Sequence, residues 1–233
     1  MRAIAVVPTY NERANLEELV EKVSQALPDL HLLIVDDNSP DGTGELADEL
    51  SRRYPDRIFV LHRAKKEGLG KAYVDGIKQV LKGDYDYIVQ MDADLSHDPI
   101  YLPKFFEQIQ NHDLVVGSRY LRGISVANWD LKRLLLSKTA SNFVRFITGM
   151  PFTDATSGFK CWRREALESI GFQDVFSIGY VFLVEMKYKA YRKGFRVAEV
   201  PIVFVERKSG DSKLDWRVVR EAIWGVLKLR FKK

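Results

Sequence analysis

Val89-Gln-Met-Asp-Ala-Asp-Leu-Ser-His-Asp-Pro99 is the stretch on which the reading of this chain turns. An apolar run, Tyr87 to Met91, stops at two carboxylates one residue apart, Asp92 and Asp94, before Pro99 opens the next helix. Carboxylates at a strand end that faces a crevice are a natural seat for Mg²⁺ or Mn²⁺. The hard oxygen ligands of these ions come from one or two carboxylates plus substrate phosphates. A second reading stands beside it: Asp92 and Asp94 cap the helix after Pro99 and turn the chain, two places where Asp is favoured. The rest of the chain weighs for the first.

Toward the amino terminus the pattern repeats. Ala3 to Val7 is a short branched apolar run ended by Pro8, as a parallel strand buried on both faces requires. Pro8-Thr-Tyr-Asn-Glu12 follows, then an amphipathic helix from about Ala14 to Ala26 with Leu16, Leu19, Val20 and Val23 on one side. Leu32 to Val35 forms a second strand, ending in Asp36 and Asp37 and followed by the turn and capping residues Asn38 to Thr43. A helix, a strand near Ile58 to Leu61, a loop from His62 to Gly70 and a helix from Lys71 to Leu81 lead to the strand before Asp92. This β-α alternation predicts a doubly wound, mostly parallel α/β sheet that binds ligands at the carboxyl ends of its strands. Pro8 to Glu12, Asp36-Asp37 and Asp92-Asp94 all fall at that edge. Lys65-Lys-Glu-Gly-Leu-Gly-Lys71 sets glycines and cations before a helix amino terminus, which suits either an anion or a plain tight turn. It has neither the Walker spacing nor the G-x-G-x-x-G fingerprint, so it supports neither a P-loop NTPase nor a dinucleotide dehydrogenase.

Toward the carboxyl terminus, Asp113 to Gly117 reads as a fifth strand, and Arg119 follows it either as a phosphate-bridging guanidinium or as a solvent-facing side chain. Trp129 to Met150 reads as one or two basic amphipathic helices, Thr153 to Lys160 as a polar turn leading to a helix from about Arg164, and Val181 to Arg192 as a further helix. Phe195 to Val205 is strand-like around Pro201, and Glu206 to Leu214 is a basic loop. The tail from Trp216 to Lys233 alternates apolar residues with Arg217, Arg220, Lys228 and Arg230. Such a stripe packs against its own domain or lies on an anionic bilayer.

Composition sets the bounds. A chain of 233 residues, 46% of them hydrophobic, suffices for one domain with a full core, and its net charge of +4 suits an anionic ligand without implying nucleic acid. The single cysteine, Cys161, forbids an internal disulfide and fits a reducing compartment, while four scattered histidines give no zinc pattern. The apolar run at the amino terminus is too short for a secretory signal, and no stretch approaches the roughly 18 apolar residues of a membrane span. The expected setting is cytoplasmic, with peripheral contact to the cytoplasmic membrane face.

Val7-Pro-Thr-Tyr-Asn-Glu12, Val35-Asp-Asp-Asn-Ser-Pro-Asp-Gly-Thr43, Gly68-Leu-Gly-Lys-Ala72, Met91-Asp-Ala-Asp-Leu-Ser-His97, Gly117-Ser-Arg-Tyr120, Trp129-Asp-Leu-Lys-Arg133, Thr156-Ser-Gly-Phe159 and Glu199-Val-Pro-Ile202 occur in this order. Together they make the chain resemble family 2 glycosyltransferases, and within them the dolichyl- or polyprenyl-phosphate mannose synthases. The resemblance implies a Rossmann-like GT-A domain over residues 1–213 followed by a basic amphipathic helix over 214–233. It also implies GDP-mannose as donor, Mg²⁺ or Mn²⁺ as cofactor, and inverting transfer to a lipid phosphate. By the same resemblance Pro8, Tyr10, Glu12, Val35 and Asp37 hold the nucleoside, and Asp92, Ala93 and Asp94 sit at the ribose and diphosphate. Asp94 is then a direct metal ligand, and Arg119, Arg207 and Lys213 engage the phosphates of donor and acceptor. Some relatives carry Gln as a further metal ligand where this chain has Ser96, whose shorter hydroxyl would reach the ion directly or through water. A membrane surface, and a membrane-anchoring partner subunit, are the remaining implied partners. Two rival readings stay open: a UDP-glucose-dependent polyprenyl-phosphate glucosyltransferase, and a non-catalytic subunit that binds nucleotide sugars.

Overall fold

The computed structural model describes residues 2–127, 131–177, 179, 181–205 and 216–231, with backbone alone at 133 and 216–222. Its first half is the expected alternation: β1 (Ala3–Thr9), α1 (Arg13–Ala26), β2 (His31–Asp36), α2 (Thr43–Arg53), β3 (Ile58–His62), α3 (Leu69–Val80) and β4 (Tyr87–Gln90). A 3-10 turn at Pro99–Tyr101 then runs into α4 (Leu102–Gln108) and β5 (Leu114–Ser118). Next come β6 (Val126–Ala127), α5 (Leu131–Thr148), β7 (Lys160–Arg163), α6 (Arg164–Ser169), α7 (Val181–Arg192), β8 (Val197–Pro201), β9 (Phe204–Val205) and α8 (Trp216–Phe231).

Seven strands form one sheet in the order β3-β2-β1-β4-β7-β5-β8, and β6 pairs with β9 in a small parallel ribbon. All pairings in the large sheet are parallel except those of β7, which runs antiparallel to both β4 and β5. The sequence reading had no strand at β7. Lys160-Cys-Trp-Arg163 is four residues long with only two apolar ones, and it runs straight into α6, so no periodicity marks it. Its direction has a consequence: the loop entering β7, rather than leaving it, lies at the carboxyl ends of β4 and β5.

Alternation along β1 divides the core. Ala3, Ala5 and Val7 pack with Leu16, Leu19 and Val23 of α1 and with Leu102 and Phe105 near α4, while Ile4 and Val6 pack with Tyr73 and Ile77 of α3 and Phe182 and Met186 of α7. α3 lies close to the sheet, because a Cβ at Gly76 would sit 2.5 Å from Val6 Cγ1 and 2.9 Å from Val35 Cγ2. A third cluster joins Val144 of α5 to Val181, Val184 and Tyr188 of α7 and to Val226 and Leu229 of α8, so the tail helix packs against α5 and α7. Among the described residues no helix is long and apolar enough to cross a membrane.

Candidate active site

Three non-glycine residues among those described have a left-handed backbone: Asn11 (φ 61°), Asn38 (φ 57°) and Leu95 (φ 63°). Each follows the carboxyl end of one of three adjacent strands, β1, β2 and β4. Asparagine tolerates this region, but leucine at Leu95 costs on the order of 1–3 kcal/mol, strain of a kind that collects at functional sites.

At the ends of β1 and β2 the acids are fixed in different ways. Asp36 is buried, and its carboxylate accepts the Ser39 N–H (3.1 Å), the Ser39 hydroxyl (2.6 Å) and the Thr9 hydroxyl (3.2 Å), so it builds the turn. Asp37 pairs with Arg63, whose Nε also reaches Asp75 at 2.9 Å and whose Nη2 reaches Glu67 at 3.4 Å. Loss of hydration raises the Asp37 carboxyl above its ordinary value, against the pull of Arg63. The Lys66 ammonium stands 3.6 Å from the centre of the Tyr10 ring. Glu12 donates its N–H to Thr43 Oγ1 at 3.0 Å and accepts from Asn15 at 2.8 Å. Pro8 is partly buried beside them. Val35 is fully buried against α3 and its carbonyl accepts the Thr9 hydroxyl at 3.4 Å, so its side chain belongs to the core.

At the end of β4 the two acids do not cap the following helix. Asp98 does, accepting the Ile100 N–H at 3.0 Å with Pro99 in the first position. Asp94 instead closes the strained turn on itself: its Oδ1 accepts the Ser96 N–H at 3.1 Å and the Ser96 hydroxyl at 2.6 Å. Ser96 is buried and spends its hydroxyl proton on Asp94; Ala93 is buried as well. Asp92 keeps 33% of its side chain exposed. Its Oδ1 accepts the Tyr73 hydroxyl at 3.2 Å, and its N–H is donated to His97 Nδ1 at 2.9 Å. Desolvation raises the Asp92 carboxyl, with Asp94 adding to it and His97, Tyr73 and Lys160 opposing.

Beyond β7 the charges turn inward. Arg119, expected to face phosphates, is buried and gripped by Asp154 through Nε (2.6 Å) and Nη2 (2.8 Å), with Thr156 Oγ1 also at 2.8 Å from Nη2. Although burial opposes ionisation, the Arg119 guanidinium holds the Asp154 carboxyl down at about 2. Glu199 accepts the Thr153 N–H, the Thr153 hydroxyl and the Asp154 N–H. Lys187, fully buried, donates to the carbonyls of Asp154 (3.1 Å) and Ser157 (3.0 Å), and burial pulls its pKa down to about 7. Lys160, also fully buried, donates to the Leu183 carbonyl, and burial together with Lys187 lowers its pKa strongly, against the attraction of Asp92. An aromatic chain joins the two halves: His97 stacks on Phe159 (5.1 Å) and meets the edge of Phe204 (5.9 Å), which lies under the Arg119 guanidinium at 5.4 Å. Arg207 and Lys213 lie outside the described residues.

The structure therefore gathers Tyr10, Glu12, Asp37, Asp92 and Asp94 along one edge of three neighbouring strands, with Arg119 beyond β7 and Val35 in the core. The sequence gives no individual role to Arg63, Tyr73, His97, Asp154, Lys160 or Lys187, and marks Lys66 only as one cation of a loop that suits either an anion or a plain turn. His97 closes the motif from Met91, and Asp154 and Lys160 lie in the polar turn from Thr153 to Lys160, which is the available signal; Arg63, Tyr73 and Lys187 look like ordinary helix or loop residues.

The donor set fits a hard divalent cation. Among the described residues no group of three or more His, Cys, Asp or Glu side chains could enclose a metal. The chain thus offers the carboxylates of Asp92 and Asp94, partly open at a strand edge, leaving the remaining sites to phosphate oxygens and water as Mg²⁺ prefers.

Comparison with known proteins agrees with this geometry. Residues 4–171 match the model for glycosyl transferase family 2, and the chain belongs to that family. It is 46% identical to a polyprenol monophosphomannose synthase of Mycolicibacterium smegmatis over 97% of its own length and 87% of the relative's. It is 41% identical to an undecaprenyl-phosphate mannosyltransferase of Micrococcus luteus, covering 97% and 95%. A dolichol-phosphate mannosyltransferase of Pyrococcus furiosus is 39% identical, covering 98% of this chain and 64% of that one. Among solved structures, glucosyl-3-phosphoglycerate synthase from Mycobacterium tuberculosis, in complex with Mn²⁺ and UDP, superposes with a TM-score of 0.69 at 20% identity over 98% of this chain and 80% of that one. A mannosyltransferase from Pyrobaculum calidifontis in complex with GDP-mannose and Mn²⁺ gives 0.62 at 18% identity, covering 99% and 70%. At such identities these two establish the GT-A fold, including its mixed, mostly parallel sheet.

Proposed function

We propose that this chain is an inverting, metal-dependent mannosyltransferase that moves mannose from GDP-mannose to polyprenyl or dolichyl phosphate. The observation that carries the reading is the strained Asp92-Ala-Asp94 turn, presenting two partly open carboxylates at the ligand edge of a family 2 chain. Near-full-length identity to polyprenyl-phosphate mannose synthases supports the choice of substrates.

In this reading Tyr10 lies against the base, and Glu12 and Asp37 accept hydrogen bonds from base or ribose. Asp92 and Asp94 would hold Mg²⁺ or Mn²⁺, with Ser96 bracing Asp94. The cation supplies stabilisation of the charge that develops on the leaving nucleoside diphosphate. In the transfer, an acceptor phosphate oxygen forms the new bond to the sugar carbon from the face opposite the diphosphate. The bond to the β-phosphate oxygen breaks, its electron pair leaving with GDP. Hydroxyl acceptors need a carboxylate to remove their proton. A lipid monophosphate has a second pKa of about 6 and arrives already ionised, so the chain needs no general base. Arg207 and Lys213 of the basic segment steer the acceptor phosphate, while Arg119, gripped by Asp154, fixes the segment that starts at Thr153.

Residues 1–213 form the transferase domain, and the helix within 214–233 joins α5 as the contact with the cytoplasmic membrane face. Phe146 on α5 is 86% exposed, and Trp224 and Phe231 on α8 are 69% and 79% exposed, among the basic side chains Lys132, Lys228 and Arg230. Aromatic and basic residues mixed in this way suit the headgroup region of an anionic bilayer. A membrane-anchoring partner subunit would add to this contact.

The test is transfer of radiolabelled mannose from GDP-mannose into an organic-extractable lipid, with and without Mg²⁺, beside a parallel reaction with UDP-glucose. Metal-dependent labelling from GDP-mannose is expected. Labelling from UDP-glucose alone, or from neither donor, would overturn the reading.

A further inference from the structure

The inner face of α3 carries Gly70, Tyr73 and Gly76, three residues apart in turn. A Cβ at Gly70 would lie 2.9 Å from the Ser177 carbonyl and 3.1 Å from Phe182 Cβ, and one at Gly76 would meet Val6 and Val35. The two glycines therefore bring α3 nearer to α7 and to the sheet than any side chain would allow, and the one large residue between them is driven to the strand edge. That residue, Tyr73, is fully buried, and its ring lies parallel to Phe182 with centroids 5.9 Å apart. A buried phenol must place its hydroxyl on a partner, since an unmet one carries a full desolvation penalty. The partner is Asp92 Oδ1, at 3.2 Å. On the other side, the Asp92 backbone is held by His97 Nδ1, whose ring is packed on Phe159 and against Gly158.

We propose that Tyr73 is a positioning residue for the donor site: its hydroxyl fixes the rotation of the Asp92 carboxylate, turning the second oxygen toward the cation and diphosphate. Tyr73 itself touches neither ligand. The proposal rests on the reading of Asp92 and Asp94 as the metal and diphosphate site. It assigns to the core of α3 a role that a core tyrosine would not otherwise have. Groups that orient a metal ligand from behind typically contribute ten- to a hundredfold to metal affinity or activity.

Tyr73→Phe removes the hydroxyl and leaves the ring. In the full chain, calorimetric titration with GDP is run with and without Mn²⁺, alongside thermal melting. Ile77→Val, which loosens the same packing one turn along α3 without touching the hydroxyl, serves as control. The expected result is an affinity for GDP in the presence of Mn²⁺ that falls about tenfold or more in Tyr73→Phe, with metal-free GDP affinity unchanged and Ile77→Val binding like the parent. The assignment is overturned if Tyr73→Phe retains parental affinity with Mn²⁺, if it loses metal-free binding to the same extent, or if Ile77→Val loses as much. A parent protein whose GDP binding does not respond to Mn²⁺ would count against the donor site itself and not against the tyrosine.

Discussion

The two sides of β7 handle charge in opposite ways. On the β1, β2 and β4 side, Asp92 and Asp94 sit partly open on a strained turn, held by groups that spare part of their surface. On the β5 and β8 side, Arg119, Asp154 and Lys187 are buried beside a half-buried Glu199; Arg119 pairs with Asp154, while Lys187 and Glu199 bond the backbone from Thr153 to Ser157. One side leaves its charge partly open, as the proposed donor site requires; the other uses its charge to fix the segment from Thr153 to Lys160 across the antiparallel strand. Function should therefore be lost without unfolding on the first side, and through unfolding on the second.

The largest effect is expected where the buried pair is broken. Asp154→Asn strands the Arg119 guanidinium in the interior and should lower stability by about 3–5 kcal/mol, measured by denaturant unfolding. A double replacement, Arg119→Met with Asp154→Leu, should recover most of that stability and transfer with it. If Asp154→Asn melts like the parent, the contrast between the two sides is wrong.

Next comes Asp94→Ala, which should cut the transfer rate on the order of 10²–10³-fold, as removal of one preorganised stabilising group does elsewhere. Its melting temperature should stay near the parent's, because Asp94 is not part of the core. A large fall in melting temperature would move Asp94 to the structural side of the comparison.

The buried charges also give stability a signature in pH. Asp154, held at about 2 in the folded state, contributes stability that is present above the ordinary carboxylate range and lost as pH falls from about 4 through 2, on the order of 2–3 kcal/mol. Lys187 acts with the other sign. Its folded pKa of about 7 lies below that of the unfolded chain, so from pH 7 to 10 the unfolded state holds more protons and stability rises with pH. Lys187→Met should flatten this alkaline rise, read from unfolding midpoints across that range. A slope unchanged by the substitution would contradict it.

The smallest effect belongs to the surface. Phe146→Ser or Phe231→Ser should weaken flotation with anionic vesicles by about tenfold each, at or just under the ~1.5–3 kcal/mol of a fully buried phenylalanine because the ring enters only in part. GDP binding should be unaffected; equal vesicle binding by both variants would remove α5 and α8 from the membrane contact.

Much of this arrangement can be read from the sequence, because its signals are local. Apolar runs ending in Asp36-Asp37 and Asp92-Ala-Asp94 announce a parallel sheet with carboxylates at the carboxyl ends of its strands, and Val181 to Arg192 is helical with those same limits in the structure. What escaped depends on partners distant in the chain. β7 is too short to show alternation, and α3 begins at Leu69, two residues before the expected Lys71, with Gly68 (φ 100°) as its entry. A lysine in an amphipathic helix reads as solvated, so nothing local marks Lys187 as buried beneath the Asp154 carbonyl. Tyr73 reads as an ordinary core aromatic until the sheet places Asp92 above it. Arg119 leaves its partner open until the fold brings Asp154 to it from 35 residues away.

The proposed function requires the donor diphosphate to be held at Asp92 and Asp94. Anomalous scattering from crystals grown with GDP-mannose and Mn²⁺ tests this directly. A manganese peak in coordination with Asp94, beside Asp92 and bridged to both donor phosphates, is the predicted result. A donor whose diphosphate binds away from these two carboxylates, or a peak seated elsewhere, would contradict it.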